Sequence, residues 1–320
     1  LLLSEREAWE VDFAAAKALL QQRQFETALA RFTELAEANP SHAEVHFQRG
    51  RTLLQMGKSE AAQADFVIAR DLDALRVRAD SRINEAIRTL GRERAGSGIV
   101  LIDLEKEIGQ FAQAGIPGMD VFFDHVHYTF VGNYRATQFF AERLLPLLPP
   151  AIRGSDTGTW PEPQLVFEDL ALTVWDQVRV WSEMAERLDT PPYNERALAE
   201  ATVAYCRSVA QQAEEVRNPS TDIATYKRAL AEDPADYHLW DRLGNYQLNQ
   251  GNLPGAIAAF EWITSTYPGF EGGHQSLGLA YFLSKDMAAA EASFKRALKL
   301  RPGYTKAEQG LQFIAEGRKP

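Results

Sequence analysis

One interval recurs four times in this chain of 320 residues and leaves little freedom in what it can build. Ala28 and Phe32, Ala62 and Phe66, Ala256 and Phe260, and Ala290 and Phe294 are each four positions apart. Each pair sits in the same longer frame. The first copy runs from Glu10 to Pro40, with Ala16 ahead of the pair. The second runs from Ala43 to Leu72 and adds Gly50, Leu53, Gly57 and Ala69. The third, Tyr237 to Pro268, adds Trp240, Leu243, Gly244 and Gly251. The fourth, Glu271 to Pro302, adds Leu277, Gly278, Tyr281 and Ala297. Ile223, Tyr226, Ala229 and Pro234 match the second half of a further copy, and residues 303–317 read as a closing helix.

The pattern has a mechanical reading. Small residues let two antiparallel helices approach, an aromatic fills the gap to the next pair, and Pro stops the second helix. In these residues the chain resembles the tetratricopeptide repeat (TPR) family. The resemblance implies helical hairpins stacked so that a groove faces a peptide or protein partner. On the C-terminal array the groove positions are His238, Asp241, Asn245, Leu248, Asn249, Gln275, Leu279 and Phe282. Repeats that clamp a C-terminal carboxylate place a Lys where Asp241 stands here, so Asn245 alone does not imply that partner. His46 and His274 occupy the place usually held by Trp and read as packing residues. Two repeats bury too little by themselves, so the N-terminal pair is expected to lean on neighbouring chain.

Between the arrays lies Asp120-Val-Phe-Phe-Asp-His-Val-His-Tyr-Thr-Phe-Val-Gly-Asn-Tyr134, which contains an Asp-x-x-His, Asp124 to His127. An apolar run, Gly98-Ile-Val-Leu-Ile-Asp103, precedes it, and an apolar-periodic helix to Leu148 follows. An imidazole can remove a hydroxyl proton, and a carboxylate can fix the imidazole tautomer. Thr129 is placed to cap the following helix. Metal binding by Asp124, His125 and His127 is the other chemistry open to this loop, but no third His or Cys stands at a supporting spacing. His42 and His46, four apart, lack a third ligand in the same way.

The stretch from about Asp71 to Pro149 resembles the C-terminal end of an SGNH/GDSL-type hydrolase. That resemblance implies an α/β sandwich acting on esters or acetyl groups, with His127 as general base and Asp124 orienting it. Residues 98–103 become the last strand of its parallel sheet, and Asp80 caps a helix to about Arg94. The family's Gly-Asp-Ser nucleophile block and its upstream oxyanion Gly and Asn have no counterpart here. Gly154-Ser155-Asp156 is in the wrong order and the wrong place. The simplest account is a C-terminal portion of a longer protein, with repeats inserted in and appended to the hydrolase, and this portion inactive alone. The alternative is a non-catalytic binding scaffold on a degenerate hydrolase core.

The organisation that follows is mostly α. Residues 1–73 form a repeat pair, 74–149 the hydrolase-like piece with its α/β contribution, 150–217 a helical linker, and 218–320 the second array. Within the linker, 149–161 is rich in Pro, Gly, Ser and Thr, 163–188 and 195–216 are helical in pattern, and residues 191–194 break them. A net charge of −10 argues against nucleic acid, which needs a basic footprint. One cysteine, Cys206, excludes an internal disulfide. No motif asks for a cofactor, and no run reaches the length needed to span a bilayer. The missing part is left free to carry a signal or an anchor.

Overall fold

Helices in this chain start and stop where local chemistry dictates. In the computed structural model, which describes residues 3–75, 77–153, 159–195 and 197–318, the first four are α1 (Leu3–Gln21), α2 (Phe25–Ala38), α3 (Ala43–Gln55) and α4 (Ser59–Leu72). They form two hairpins. Their first helices, like those of the third and fourth repeats, end in one turn type. Arg23, Gly57, Gly251 and Lys285 all take positive φ, at 60°, 73°, 70° and 69°. Glycine takes this conformation without strain, and the two basic residues do not. Ala28, Phe32 and Ala16 are wholly buried in the first hairpin.

The chain divides into two units. The first runs to Trp160 and takes in Pro191–Ala199. It holds the N-terminal repeats together with α5 (Ser81–Glu93), α6 (Leu104–Glu107), α7 (Phe130–Leu144) and α8 (Pro150–Arg153). Asp80 caps α5 as expected, accepting from the Ile83 N–H at 3.0 Å. The repeats do lean on this segment. Arg70 of α4 donates to Glu105 at 2.8 Å and to Ser81 at 2.7 Å, and Arg88 of α5 donates to Asp103 at 2.7 Å.

The expected parallel sheet is not formed. Among the described residues there is no strand, only isolated bridges between Ala95 and Ile99 and between Phe122 and Tyr128. A parallel strand needs neighbours to complete its hydrogen bonds, and among the described residues no second strand pairs with residues 98–103. Ile99 and Val100 are therefore half exposed. So are Ile83, Ile87 and Leu90 of α5, a helix that buries no residue.

The second unit comprises Pro161–Thr190 and the chain from Glu200 onward. Its helices are α9 (Pro163–Asp169), α10 (Val174–Leu188), α11 (Ala199–Val216), α12 (Pro219–Glu232), α13 (Tyr237–Asn249), α14 (Leu253–Thr266), α15 (Glu271–Leu283), α16 (Met287–Leu300) and α17 (Thr305–Ala315). The helix expected over 163–188 is two helices. Ala171 turns at φ 51°, and a Thr173–Asp176 capping box restarts the chain. The Gly154-Ser155-Asp156 run lies outside the described residues.

Packing in the repeats follows one rule. A Cβ on Gly244 would lie 2.5 Å from the Phe260 ring, and one on Gly278 would lie 2.6 Å from Phe294. The aromatic of each second helix thus occupies the space its own first helix leaves. A buried polar group ties α10 to the array: Arg242 donates to both carboxylate oxygens of Asp176 at 3.2 and 2.5 Å, and the Tyr226 hydroxyl donates to the same carboxylate at 2.7 Å. Arg242 also reaches the backbone carbonyls of Leu170 and Ala171. No helix among the described residues is long and apolar enough to cross a membrane.

Candidate functional site

Two places gather side chains that can do something beyond packing. The first is the loop between residues 118 and 130. Thr129 accepts from the Gly132 N–H at 3.0 Å and donates to the Asp120 carbonyl at 3.1 Å, so the cap also fixes the loop in front of it. Gly132 is required there, since a Cβ would meet the Val121 carbonyl oxygen at 2.1 Å. The antiparallel bridge at Phe122 and Tyr128 closes a narrow turn, and Asp124 and His127 stand at its tip.

There the two meet. His127 Nδ1 lies 2.8 Å from Asp124 Oδ2, and the other carboxylate oxygen accepts the backbone N–H groups of Val126 and His127, each at 2.8 Å. The Asp124 side chain is 1% exposed and that of His127 is 48% exposed. Burial pushes the Asp124 carboxyl up. The two N–H groups, then the imidazole, outweigh it and hold the group below its ordinary value. With Nδ1 donating to a carboxylate, Nε2 is the free, accepting nitrogen. This is the arrangement of an oriented base. His125 stacks on Tyr193, ring centroids 5.5 Å apart, and its charge adds a smaller pull that also lowers the Asp124 carboxyl. Among the described residues no three His, Cys, Asp or Glu side chains converge as metal ligands do.

The second place is the first-helix face of the C-terminal array. His238, Asn249 and Leu279 are exposed, while Asp241, Asn245, Leu248 and Gln275 are half-buried. Phe282 is not on this face. It is 7% exposed and packs with Ala290, Phe294, Ala297 and Ala307, so its ring belongs to the core. Asn245 donates to the Asp241 backbone carbonyl at 2.8 Å and to its carboxylate at 3.1 Å. Burial pushes the Asp241 carboxyl above its ordinary value, against the pull of Arg179, His238 and Asn245. Arg179, on α10, was not foreseen from the sequence. It lies on the helix that Asp176 ties to α13 through Arg242, a long-range pair that the sequence does not announce.

A family model described as tetratricopeptide repeat matches residues 13–62, 223–271 and 242–305, the same frames in which the small and aromatic residues recur. The chain carries tetratricopeptide repeats. Solved structures with some likeness include YrrB, described as a TPR protein with an unusual peptide-binding site. It is 15% identical, with 88% of this chain and 97% of that chain covered and a TM-score of 0.28. The TPR2AB-domain:pHSP90 complex of yeast Sti1 is 14% identical, with 97% and 96% covered and a TM-score of 0.27. Yeast Tom70 is 13% identical, with 95% and 68% covered and a TM-score of 0.30. These likenesses are too distant to carry inference. No curated protein matches the chain.

Proposed function

We propose that this chain is a protein-interaction scaffold whose C-terminal TPR array, α13 to α17, binds an extended peptide of a partner protein along His238, Asp241, Asn245, Leu248, Asn249, Gln275 and Leu279. The observation that carries this reading is the stripe itself. The core positions of α13 and α15 are filled by Leu243, Leu277 and Phe282, and by glycines against phenylalanines. The adjoining stripe instead carries amides, an imidazole, a carboxylate and one exposed Leu at 38%. Side-chain amides at half-buried positions are suited to the backbone of an extended peptide, which presents both donors and acceptors. A peptide-array screen on the whole chain tests it. Peptides selected by the wild type should bind the double variant Asn245→Ala, Leu279→Asp at least about tenfold more weakly, the scale of one or two lost hydrogen bonds and an apolar contact. Unchanged binding by a folded variant would remove the array from the interaction.

One observation favours a second reading. The Asp124–His127 pair is oriented as half of a Ser-His-Asp triad. The uncovered apolar surface of α5 and residues 99–101 is what an α/β sheet would cover. In this reading the chain completes an SGNH-type ester hydrolase acting on esters or acetyl groups, and the nucleophile and oxyanion donors lie in a longer polypeptide. In such a polypeptide His127→Ala should lower p-nitrophenyl acetate hydrolysis about a thousandfold or more, as expected for a lost triad base. Hydrolysis that survives the substitution would return the dyad to a purely structural role.

A further inference from the structure

The N-terminal repeat pair has a cleft of its own, with a volume of about 370 Å³. Lys17, Arg23 and Arg51 line it, and Glu44 is the carboxylate among its lining residues. A basic cleft is out of character in a chain of net charge −10. Arg51 is the informative residue. It is half-buried, and its hydrogen bond goes to a neutral group, Gln48 Oε1, at 2.8 Å. Gln48 is 4% exposed and is itself held by Glu44 at 3.3 Å, so the guanidinium is aimed by a buried amide. No carboxylate among the described residues pairs with it. Burial alone moves its pKa, downward. Arg49, two residues earlier, shows the contrast: it forks on Asp65 at 2.8 and 2.6 Å.

A guanidinium uses five N–H donors in a planar fork that matches a carboxylate. Removing it from water without such a partner is costly. The cost is recovered when an anion arrives. Lys17, 3.6 Å from Glu44 and seated over the Phe13 ring at 4.6 Å, stands along the same cleft. Leu20, Phe25 and Leu198 add apolar wall beside the charges.

We propose that this cleft binds a segment of a partner protein presenting an internal Asp or Glu beside an apolar side chain. The carboxylate is forked on Arg51 with Lys17 alongside, and the apolar side chain lies against Leu20 and Phe25. The inference rests on the reading of the repeats as a scaffold, but at a groove separate from the C-terminal one.

The test is fluorescence anisotropy on the whole chain. The probe is a labelled peptide of Leu, Ala and Glu, blocked at both ends, compared with its Gln counterpart. The Glu peptide should bind about tenfold or more tightly than the Gln peptide, the scale of one charge-assisted hydrogen-bond pair. Arg51→Gln should abolish the preference. Arg51→Lys should restore only part of it, because an ammonium cannot fork. Lys227→Gln, at an exposed position of α12 outside both grooves, should leave it unchanged. Equal binding of the two peptides, or a preference that persists in Arg51→Gln, overturns the proposal. So does binding seen only when the C-terminal block is removed, or a preference lost in Lys227→Gln as well. Should Arg51→Gln fail to fold by circular dichroism, Lys17→Gln serves in its place, with a weakened preference expected and an unchanged one contradicting. Failure here, with peptides still selected by the C-terminal array, sinks this inference and leaves the scaffold reading standing.

Discussion

At the fourth position of three repeats a ring N–H reaches back six residues to the same kind of carbonyl. Trp240 Nε1 donates to Pro234 at 2.9 Å, His274 Nε2 lies 3.1 Å from the Pro268 oxygen, and His46 Nε2 lies 3.0 Å from that of Pro40. Each of these prolines lies just past the cap of a second helix, where its carbonyl has no intrahelical partner, and a ring nitrogen meets it. From the sequence, His46 and His274 were legible only as packing residues at a Trp place, because the partner lies on the preceding turn. The left-handed turn closing each first helix was half legible, through Gly57 and Gly251. Lys285 holds the equivalent place at φ 69° with no glycine to announce it. Lys285→Gly should therefore stabilise the chain by about 0.5–1 kcal/mol, the relief of left-handed strain less the added freedom of the unfolded chain. Urea unfolding of the two proteins checks the sign. A destabilised variant would mean that the Lys285 side chain contributes more than its backbone costs.

Among the elements, α10 depends most on a single side chain. Asp176 is 2% exposed and joins the Thr173 cap, the Tyr226 hydroxyl and the Arg242 fork. Asp176→Ala leaves a partly buried guanidinium unpaired and should cost about 3–5 kcal/mol. The pH dependence has a definite sign. Burial pushes the Asp176 carboxyl up, but Arg242, Tyr226 and Thr173 outweigh it, so the folded pKa lies below the ordinary value. A carboxyl lowered on folding stabilises above its unfolded pKa, and that share is lost as pH falls through the folded pKa. The stability gap between wild type and Asp176→Asn, measured by denaturant unfolding, should narrow from neutral pH into acid. A gap that widens would contradict the assignment. The sequence showed the apolar period over 163–188 but not its interruption, since Leu170 and Leu172 continue that period while Ala171 turns between them and the Thr173–Asp176 box starts the next helix. Residues 98–103 show the opposite failure. Their composition reads as a strand, yet a strand is a property of its neighbours, and none is present among the described residues. The caps at Asp80 and Thr129, and the meeting of Asp124 with His127, were legible because each is set by residues within a few positions.

For the whole molecule, the sequence carried the repeats almost intact, because each signature residue packs against a partner inside its own hairpin or the next. It misplaced Phe282 by one face, since a core ring and a groove ring share the same helix and differ only in direction. The stripe beside the repeats is the proposed peptide groove, and the direct test is hydrogen exchange on the whole chain with and without a peptide selected in the array screen. Slowed exchange should fall on α13 and α15, over residues 238–249 and 275–283, while the loop at Asp124 keeps its free rate. Protection confined to the Asp124–His127 loop, with the array unchanged, would contradict the scaffold reading and turn attention to the dyad.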